Sequence, residues 1–152
     1  MVRWELINTF CGGLTMLEKT REGGCLCGEV RYRVPAQPEE VVVCHCLNCQ
    51  KQAGSAFSVV AFFKRDALQL TGELQTYEDR GTTGQRVYRK FCGNCGSPVV
   101  TDTDAAPEMG LIFIKAGTLD EVDDLKPSVH VWTSRKQCWL TLAEDQAQLE
   151  RE

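Results

Sequence analysis

The chain has 152 residues, of which 43% are hydrophobic and 25% charged, and its formal net charge is −4. This composition fits one compact domain and excludes wholesale disorder. The acidic balance disfavours a broad basic surface for nucleic acid, and no apolar run approaches the roughly 20 residues of a membrane span.

The N-terminal segment does not resemble a signal peptide, because Glu5, Asn8 and Thr9 interrupt its apolar stretch. We interpret residues 1–20 as a disordered leader, residues 21–141 as the folded domain and residues 142–152 as a C-terminal tail. Met16 is an alternative start of translation. Without an export signal, we expect a cytoplasmic protein.

Short β-rich runs dominate the remainder of the chain. In chain order, the predicted strands cover residues 28–34, 41–43, 58–63, 68–70, 76–77, 85–91, 111–115 and 129–132. Helical periodicity is weak and is confined to one turn at 64–67 and to the tail at 142–150, for which the alternative is a frayed, solvated segment. Short strands with Gly and Pro between them predict a small all-β domain.

Seven of the nine cysteines fall into three tight groups, which are Cys25 and Cys27, then Cys44, Cys46 and Cys49, and finally Cys92 and Cys95. Thiolates are strong zinc ligands, and a closed tetrahedral site needs four of them. The flanking glycines at 23, 24, 28, 93 and 96 suit the tight turns of such sites. Two pairs make one closed structural site, and the triplet makes a second site with an open fourth position, as in catalytic zinc centres.

Other interpretations of the cysteines stay open at this point. Cys46 and Cys49 could join another pair, and the whole set could form disulfides, a redox motif, an iron–sulfur cluster or a purely structural zinc domain with a spare triplet. We expect Cys11 to be an exposed thiol of the leader and Cys138 to be a small buried hydrophobe. His45 should point away from its cysteine neighbours, and His130 should be an ordinary strand residue.

The ordered motifs resemble one known family, the glutathione-dependent formaldehyde-activating enzymes, which also includes centromere protein V. The matching segments are 23–28, 30–32, 44–51, 54–57, 72–74, 91–98 and 116–120, with Pro127, His130, Val131, Trp132 and Ser134 downstream. The resemblance implies small sheets of short antiparallel strands stapled by zinc, similar to methionine sulfoxide reductase B. It also implies two Zn²⁺ per chain, a structural ion on Cys25, Cys27, Cys92 and Cys95 and a catalytic ion on Cys44, Cys46 and Cys49.

The resemblance further implies a carbon–sulfur lyase that condenses formaldehyde reversibly with glutathione, or acts on another thiol adduct. The expected partner is then a small-molecule thiol, with no nucleic acid and no membrane, and a homodimer is left open. Cations that could hold anionic glutathione are Lys51, Arg86, Arg89, Lys90 and Arg135, for which the alternative is an ordinary solvated surface charge. Gln50 or Ser55 could hydrogen-bond a ligand, but turn and packing roles are favoured for both. The alternatives are a non-enzymatic zinc module that binds a macromolecule and, more weakly, a sulfoxide reductase that uses Cys138.

Overall fold

The computed structural model describes residues 19–151, and strands dominate this part of the chain. The strands are β1 (Arg21–Gly24), β2 (Arg31–Val34), β3 (Glu40–Cys44), β4 (Ser58–Lys64), β5 (Gln69–Thr71), β6 (Leu74–Arg80), β7 (Arg86–Cys92), β8 (Pro98–Thr103), β9 (Leu111–Lys115), β10 (Val129–Val131) and β11 (Ala147–Gln148). The helix α1 covers Leu47–Ala53, and single 3-10 turns cover Arg65–Ala67, Ala116–Thr118 and Thr133–Arg135. The prediction of an all-β fold is confirmed.

The described strands form two separate sheets. β1, β2 and β5 form a three-stranded sheet, and the other strands form an eight-stranded sheet in the order β11-β10-β3-β4-β9-β8-β7-β6. Most neighbours are antiparallel, as expected, but β10 runs parallel to both β3 and β11. The reason is topological: β3 and β9 run in the same direction because both are antiparallel to β4, and the connection from β9 crosses past β4 and β3 so that β10 enters in that direction too. A second connection, over residues 132–146, brings the chain back to the same end of the sheet before β11.

The hydrophobic core lies between the two sheets. Its members include Val30 just before β2, Tyr32 and Val34 of β2, and Ala61, Phe63, Val99, Ile112 and Ile114 of the large sheet. We call this side of the large sheet the core face. The opposite side, which carries Ser58, Val60, Arg89 and Lys115, is called the helix face, because α1 lies over it.

The described elements differ from the sequence-based expectations in five places. β1, β8 and α1 were not predicted, and the first predicted strand begins only at Arg31, because residues 28–30 belong to a turn. The prediction of a helical tail is wrong, since Ala147–Gln148 is strand β11 and pairs with β10. The expected leader and Cys11 fall almost entirely outside residues 19–151. Within that range, no helix combines the length and apolarity needed to cross a membrane.

Candidate metal centres

Four cysteines meet where two turns approach each other, one between β1 and β2 and the other between β7 and β8. The Sγ atoms of Cys25, Cys27, Cys92 and Cys95 all lie within 4.8 Å of one another. Cys27 Sγ is 3.4 Å from Cys25 Sγ and 3.7 Å from Cys92 Sγ. Tetrahedral ligands with metal–sulfur bonds of about 2.3 Å stand roughly 3.8 Å apart. The four thiols therefore fit one tetrahedral metal ion.

Glycine makes both turns of this group. Gly28 and Gly96 adopt φ values of +82° and +74°, and their amides donate to the carbonyls of Cys25 and Cys92. Side chains with a Cβ rarely adopt this conformation. Between Lys90 and Phe91, just before Cys92, the pairing register of β7 and β8 shifts. Such an irregularity re-aims the residues that follow it.

Backbone and hydroxyl donors surround the sulfurs of the four-cysteine group. The amide of Val30 donates to Cys25 Sγ at 3.2 Å, and Ser97 Oγ lies 3.2 Å from Cys95 Sγ. Hydrogen bonds from the side chain and backbone of Ser97 lower the pKa of Cys95 to about 5. These contacts favour thiolates, which are the form that binds a metal.

The three remaining clustered cysteines come from one continuous segment. Cys44 ends β3, Cys46 caps the N-terminus of α1, and the amide of Cys49 donates to Cys46 Sγ at 3.3 Å. Their Sγ atoms also lie within 4.8 Å of one another. Hydrogen bonds from the thiols of Cys44 and Cys46 lower the pKa of Cys49, against the opposing effect of burial. Three sulfurs so placed could hold a metal ion and leave one coordination position to another ligand.

His45 points away from the triplet and anchors its backbone. Its ring is fully buried, and Nε2 lies 2.9 Å from Nδ1 of His130. His130 Nε2 lies 2.8 Å from Gln146 Oε1, and Gln146 Nε2 donates to the carbonyl of Pro127. Because the Gln146 amide nitrogen is the donor to Pro127, its oxygen must accept from His130 Nε2. These hydrogen bonds hold the His45 side chain in place and thereby help to fix the backbone between Cys44 and Cys46.

Gln50 anchors the same segment from the other side. Its Nε2 donates to the carbonyls of His45 at 2.7 Å and Arg135 at 3.1 Å, and its Oε1 accepts from Gln137. The sequence-based idea that Gln50 hydrogen-bonds a ligand is therefore replaced by a structural role, since its polar atoms are already engaged. Trp132 directly precedes the 3-10 turn Thr133–Arg135, whose last residue accepts one of these hydrogen bonds. Among the described residues it is the one non-glycine residue with positive φ, at +59°.

Two buried cations lie on the helix face below the triplet. Lys115 is only 5% exposed, and its Nζ donates to Ser58 Oγ at 2.9 Å, while Ser58 lies directly opposite Cys44 in the sheet. Arg89 is 6% exposed and donates from Nε and Nη2 to Asp79 Oδ2, each at 2.8 Å. Burial lowers the pKa of Lys115, partly offset by the negative charge of the cysteine triplet. Burial also lowers the pKa of Arg89, but the effects of Asp79 and Cys49 outweigh burial, so the pKa of Arg89 is raised.

Two unpaired polar atoms lie together on the helix face. Within residues 19–151, four buried side-chain atoms have no hydrogen-bond partner, and they are His45 Nδ1, Gln52 Oε1, Arg89 Nη1 and Thr101 Oγ1. The His45 ring points away from the triplet and Gln52 lies in α1, whereas Arg89 and Thr101 lie opposite each other on the helix face. Because nearly all buried polar groups in proteins are paired, the Arg89–Thr101 pair marks a place where a ligand or ordered water belongs.

The candidate cations are not all at the triplet. Arg89 lies beside it, whereas Arg86 and Lys90 are on the other side of β7, where they pair with Asp104 and Asp102. Lys51 and Arg135 are exposed near α1, as is Ser55. Sequence reasoning missed Ser58 and Lys115. The alternation within β9 could have found Lys115, since it places residues 111, 113 and 115 on one face and the apolar Ile112 and Ile114 on the other.

The remaining cysteine expectations have mixed outcomes. Cys138 is exposed, so the expectation of a small buried hydrophobe is wrong. The eight cysteines of the described range are free thiols, which leaves no disulfide there. Two surface hollows of about 260 and 340 Å³ lie away from both cysteine groups, one beside Arg33 and Asp120 and the other beside Leu70 and Ile112.

Comparison with known proteins gives a consistent result. The family model described as glutathione-dependent formaldehyde-activating enzyme matches residues 20–135. A protein of Halomonas elongata named "Putative glutathione-dependent formaldehyde-activating enzyme" is 27% identical over 135 residues, which is 80% of each chain. A crystal structure of a Rhodobacter sphaeroides protein superposes with a TM-score of 0.52 and 21% identity over 68% of this chain and 91% of that one, which shows a shared fold. This chain belongs to the glutathione-dependent formaldehyde-activating enzyme family.

Proposed function

We propose that this protein is a zinc-dependent carbon–sulfur lyase that joins formaldehyde reversibly to glutathione or a similar thiol. The observation that carries the proposal is the three-cysteine cluster, which is separate from the four-cysteine cluster and offers a metal one ligand fewer. Closed four-ligand sites are structural, whereas sites with three protein ligands admit substrate. The family name and the name of the relative support the choice of thiol and aldehyde.

We assign a structural zinc to Cys25, Cys27, Cys92 and Cys95 and a catalytic zinc to Cys44, Cys46 and Cys49. Sets made only of thiolates select soft or borderline metals such as Zn²⁺ over Mg²⁺ or Ca²⁺. When bound to the triplet, zinc would favour the thiolate form of a substrate thiol and orient its sulfur. The reaction is placed in the cytoplasm, where glutathione is abundant and protein thiols stay reduced.

In the forward direction, the thiol sulfur forms a bond to the carbon of formaldehyde. The electron pair of the C=O π bond moves to oxygen, and that oxygen takes up the proton that the thiol lost. The reverse reaction breaks the same carbon–sulfur bond and returns the proton to sulfur. The protein must therefore stabilise negative charge first on sulfur and then on oxygen.

Ser58 and Lys115 are placed to supply this stabilisation. A lysine ammonium group has no acceptor, so Ser58 Oγ must accept the hydrogen bond at 2.9 Å. The hydroxyl hydrogen of Ser58 remains free to donate, and Ser58 is the residue directly opposite Cys44. A donor polarised by a buried cation is stronger than a neutral one. Ser58 would then donate to whichever atom of the reacting pair carries the charge.

Metal content and exchange kinetics together test the proposal. We expect about two zinc ions per chain in the wild type and one in a variant with Cys44, Cys46 and Cys49 changed to Ser. The wild type should accelerate exchange between ¹³C-formaldehyde and S-hydroxymethylglutathione, measured by NMR against the uncatalysed rate, and the triple variant should not. Cys138→Ser, which changes an exposed thiol outside both groups, is the matched control. A triple variant that keeps either the second zinc or the full exchange rate would contradict the proposal.

A further inference from the structure

We infer that Arg89, Thr101 and Lys115 form a carboxylate-binding subsite beside the cysteine triplet, so that the site selects thiols that also carry a carboxylate. The inference rests on the proposed function, because it needs a thiol bound at the triplet. It adds a specificity element that lies on different strands from the cysteines.

The sheet register brings these residues to one place. Lys115 lies opposite Val60, which is two residues from Ser58 on β4, and Ser58 lies opposite Cys44. Residues that are directly opposite or two apart along a strand share a face of the sheet. Cys44 and Lys115 are therefore on the same face.

The pairing register also places Thr101 of β8 and Arg89 of β7 on the helix face. Phe113 is two residues from Lys115 and lies opposite Thr101, which in turn lies opposite Arg89. Asn48, the residue before Cys49 in α1, donates to Asp79, the same carboxylate that accepts from Arg89. The subsite is thus next to the position that a bound thiol would occupy.

Several hydrogen-bond donors of this group have no acceptor. Arg89 Nη1 points away from Asp79, and neither it nor Thr101 Oγ1 has a partner among residues 19–151. Ser58 takes one of the three N–H groups of Lys115, and within the same range it is the one hydrogen-bond partner found for that ammonium. A carboxylate has two oxygens with about four acceptor positions and binds a guanidinium well. A single hydroxyl or water could satisfy fewer of these donors.

The unengaged donors belong in part to charged side chains, and such donors bind a carboxylate more strongly than they bind a neutral group. Arg89 and Lys115 carry two positive charges, and Asp79 is the one carboxylate that bonds either of them in the described range. α1 covers the group, since Asn48 donates to Asp79. None of the seven residues of this helix is fully buried and Thr101 is only partly buried, so the group lies just below the protein surface.

Calorimetric titration of the zinc-loaded full chain with two small thiols tests the inference. Mercaptoacetate carries a carboxylate and 2-mercaptoethanol does not. We expect the wild type to bind mercaptoacetate at least about tenfold more tightly, as expected for one charge-assisted hydrogen bond of roughly 1.5–3 kcal/mol. Thr101→Val removes an unpaired hydroxyl and should reduce this preference severalfold, while its unfolding midpoint in urea is unchanged or higher.

A second variant tests the guanidinium separately. Arg89→Lys keeps a positive charge near Asp79 but removes Nη1, so it should also lose the preference. Arg86→Lys changes an exposed arginine of the same strand on the opposite face and is the matched control. It should behave as the wild type.

The two thiols separate failure of the inference from failure of the proposed function. Equal affinity of the wild type for both thiols would overturn the subsite and leave the thiol-binding triplet intact. If neither thiol bound the zinc-loaded chain, the proposed function would fall with it. A destabilised Thr101→Val variant with its preference unchanged would show that Thr101 is merely structural.

Discussion

The hydrogen-bonded line from Gln146 through His130 to His45 makes the C-terminal segment part of the support of the triplet, and Gln146→Leu tests this directly. The substitution keeps the volume but removes the acceptor of His130 Nε2, an atom of a side chain that is only 7% exposed. A buried donor left without a partner costs about 1–3 kcal/mol. For a chain of about this size, that corresponds to a fall in Tm of roughly 3–9 °C.

Urea unfolding of the zinc-loaded protein, followed by tryptophan fluorescence, measures this loss. Gln146→Glu is the matched control, because it keeps an acceptor oxygen for His130, while both variants lose the hydrogen bond to the Pro127 carbonyl. We expect it to lose less than half as much as Gln146→Leu. If the leucine variant stays within about 0.5 kcal/mol of the wild type, or if both variants lose the same amount, the tail does not act through this hydrogen bond.

Two further predictions concern the framework. Asp102 is buried, which raises its pKa, but hydrogen bonds and charge from Arg65 outweigh burial and lower it below 3.8. This stabilisation is present above about pH 5 and is lost as pH falls through the depressed pKa, so the wild type should lose more stability than Asp102→Asn between pH 5 and 3 in urea titrations. Parallel curves would contradict this. Gly28→Ala should cost about 1–2 kcal/mol, because φ is +82° although space for a Cβ exists. Gly117→Ala, which has the same open space without positive φ, should cost less, and equal losses would refute the backbone argument.

The two cysteine groups could be anticipated because their information is local. Cys25 and Cys27 share one turn, and so do Cys92 and Cys95, so the count of short spacings already separates two pairs from a triplet. The structure brings the pairs together across 65 residues between Cys27 and Cys92. A pair of cysteines cannot complete a four-ligand site alone. The sequence therefore implies that the two pairs come together, although it does not show directly which distant residues are in contact.

The environment of the triplet was less predictable because it depends on register and topology. Lys115 and Arg89 reach Cys49 from β9 and β7, and a one-residue shift in pairing would turn either of them to the core face. α1 escaped prediction because its seven residues have no apolar period, and the thiol of Cys46 caps it. Gln146 lies in a polar segment whose strand is visible only in its pairing with β10.

The two cysteine groups balance charge in different ways, and this difference bears on their roles. Four thiolates around a divalent ion leave a net charge of −2, and at the four-cysteine group the compensation comes from fixed donors such as the Val30 amide and Ser97. Three thiolates leave −1, and at the triplet Arg89 and Lys115 outweigh Asp79 by one positive charge. With the proposed divalent ion bound, the triplet would then be close to neutral. Binding a further thiolate would bring the net charge of this site to −1, whereas the same site without the two cations and Asp79 would reach −2. The buried arginine and lysine therefore lower the electrostatic cost of admitting an anionic sulfur. A closed structural site has no such requirement, and at the four-cysteine group the donors that contact sulfur in the described residues are neutral.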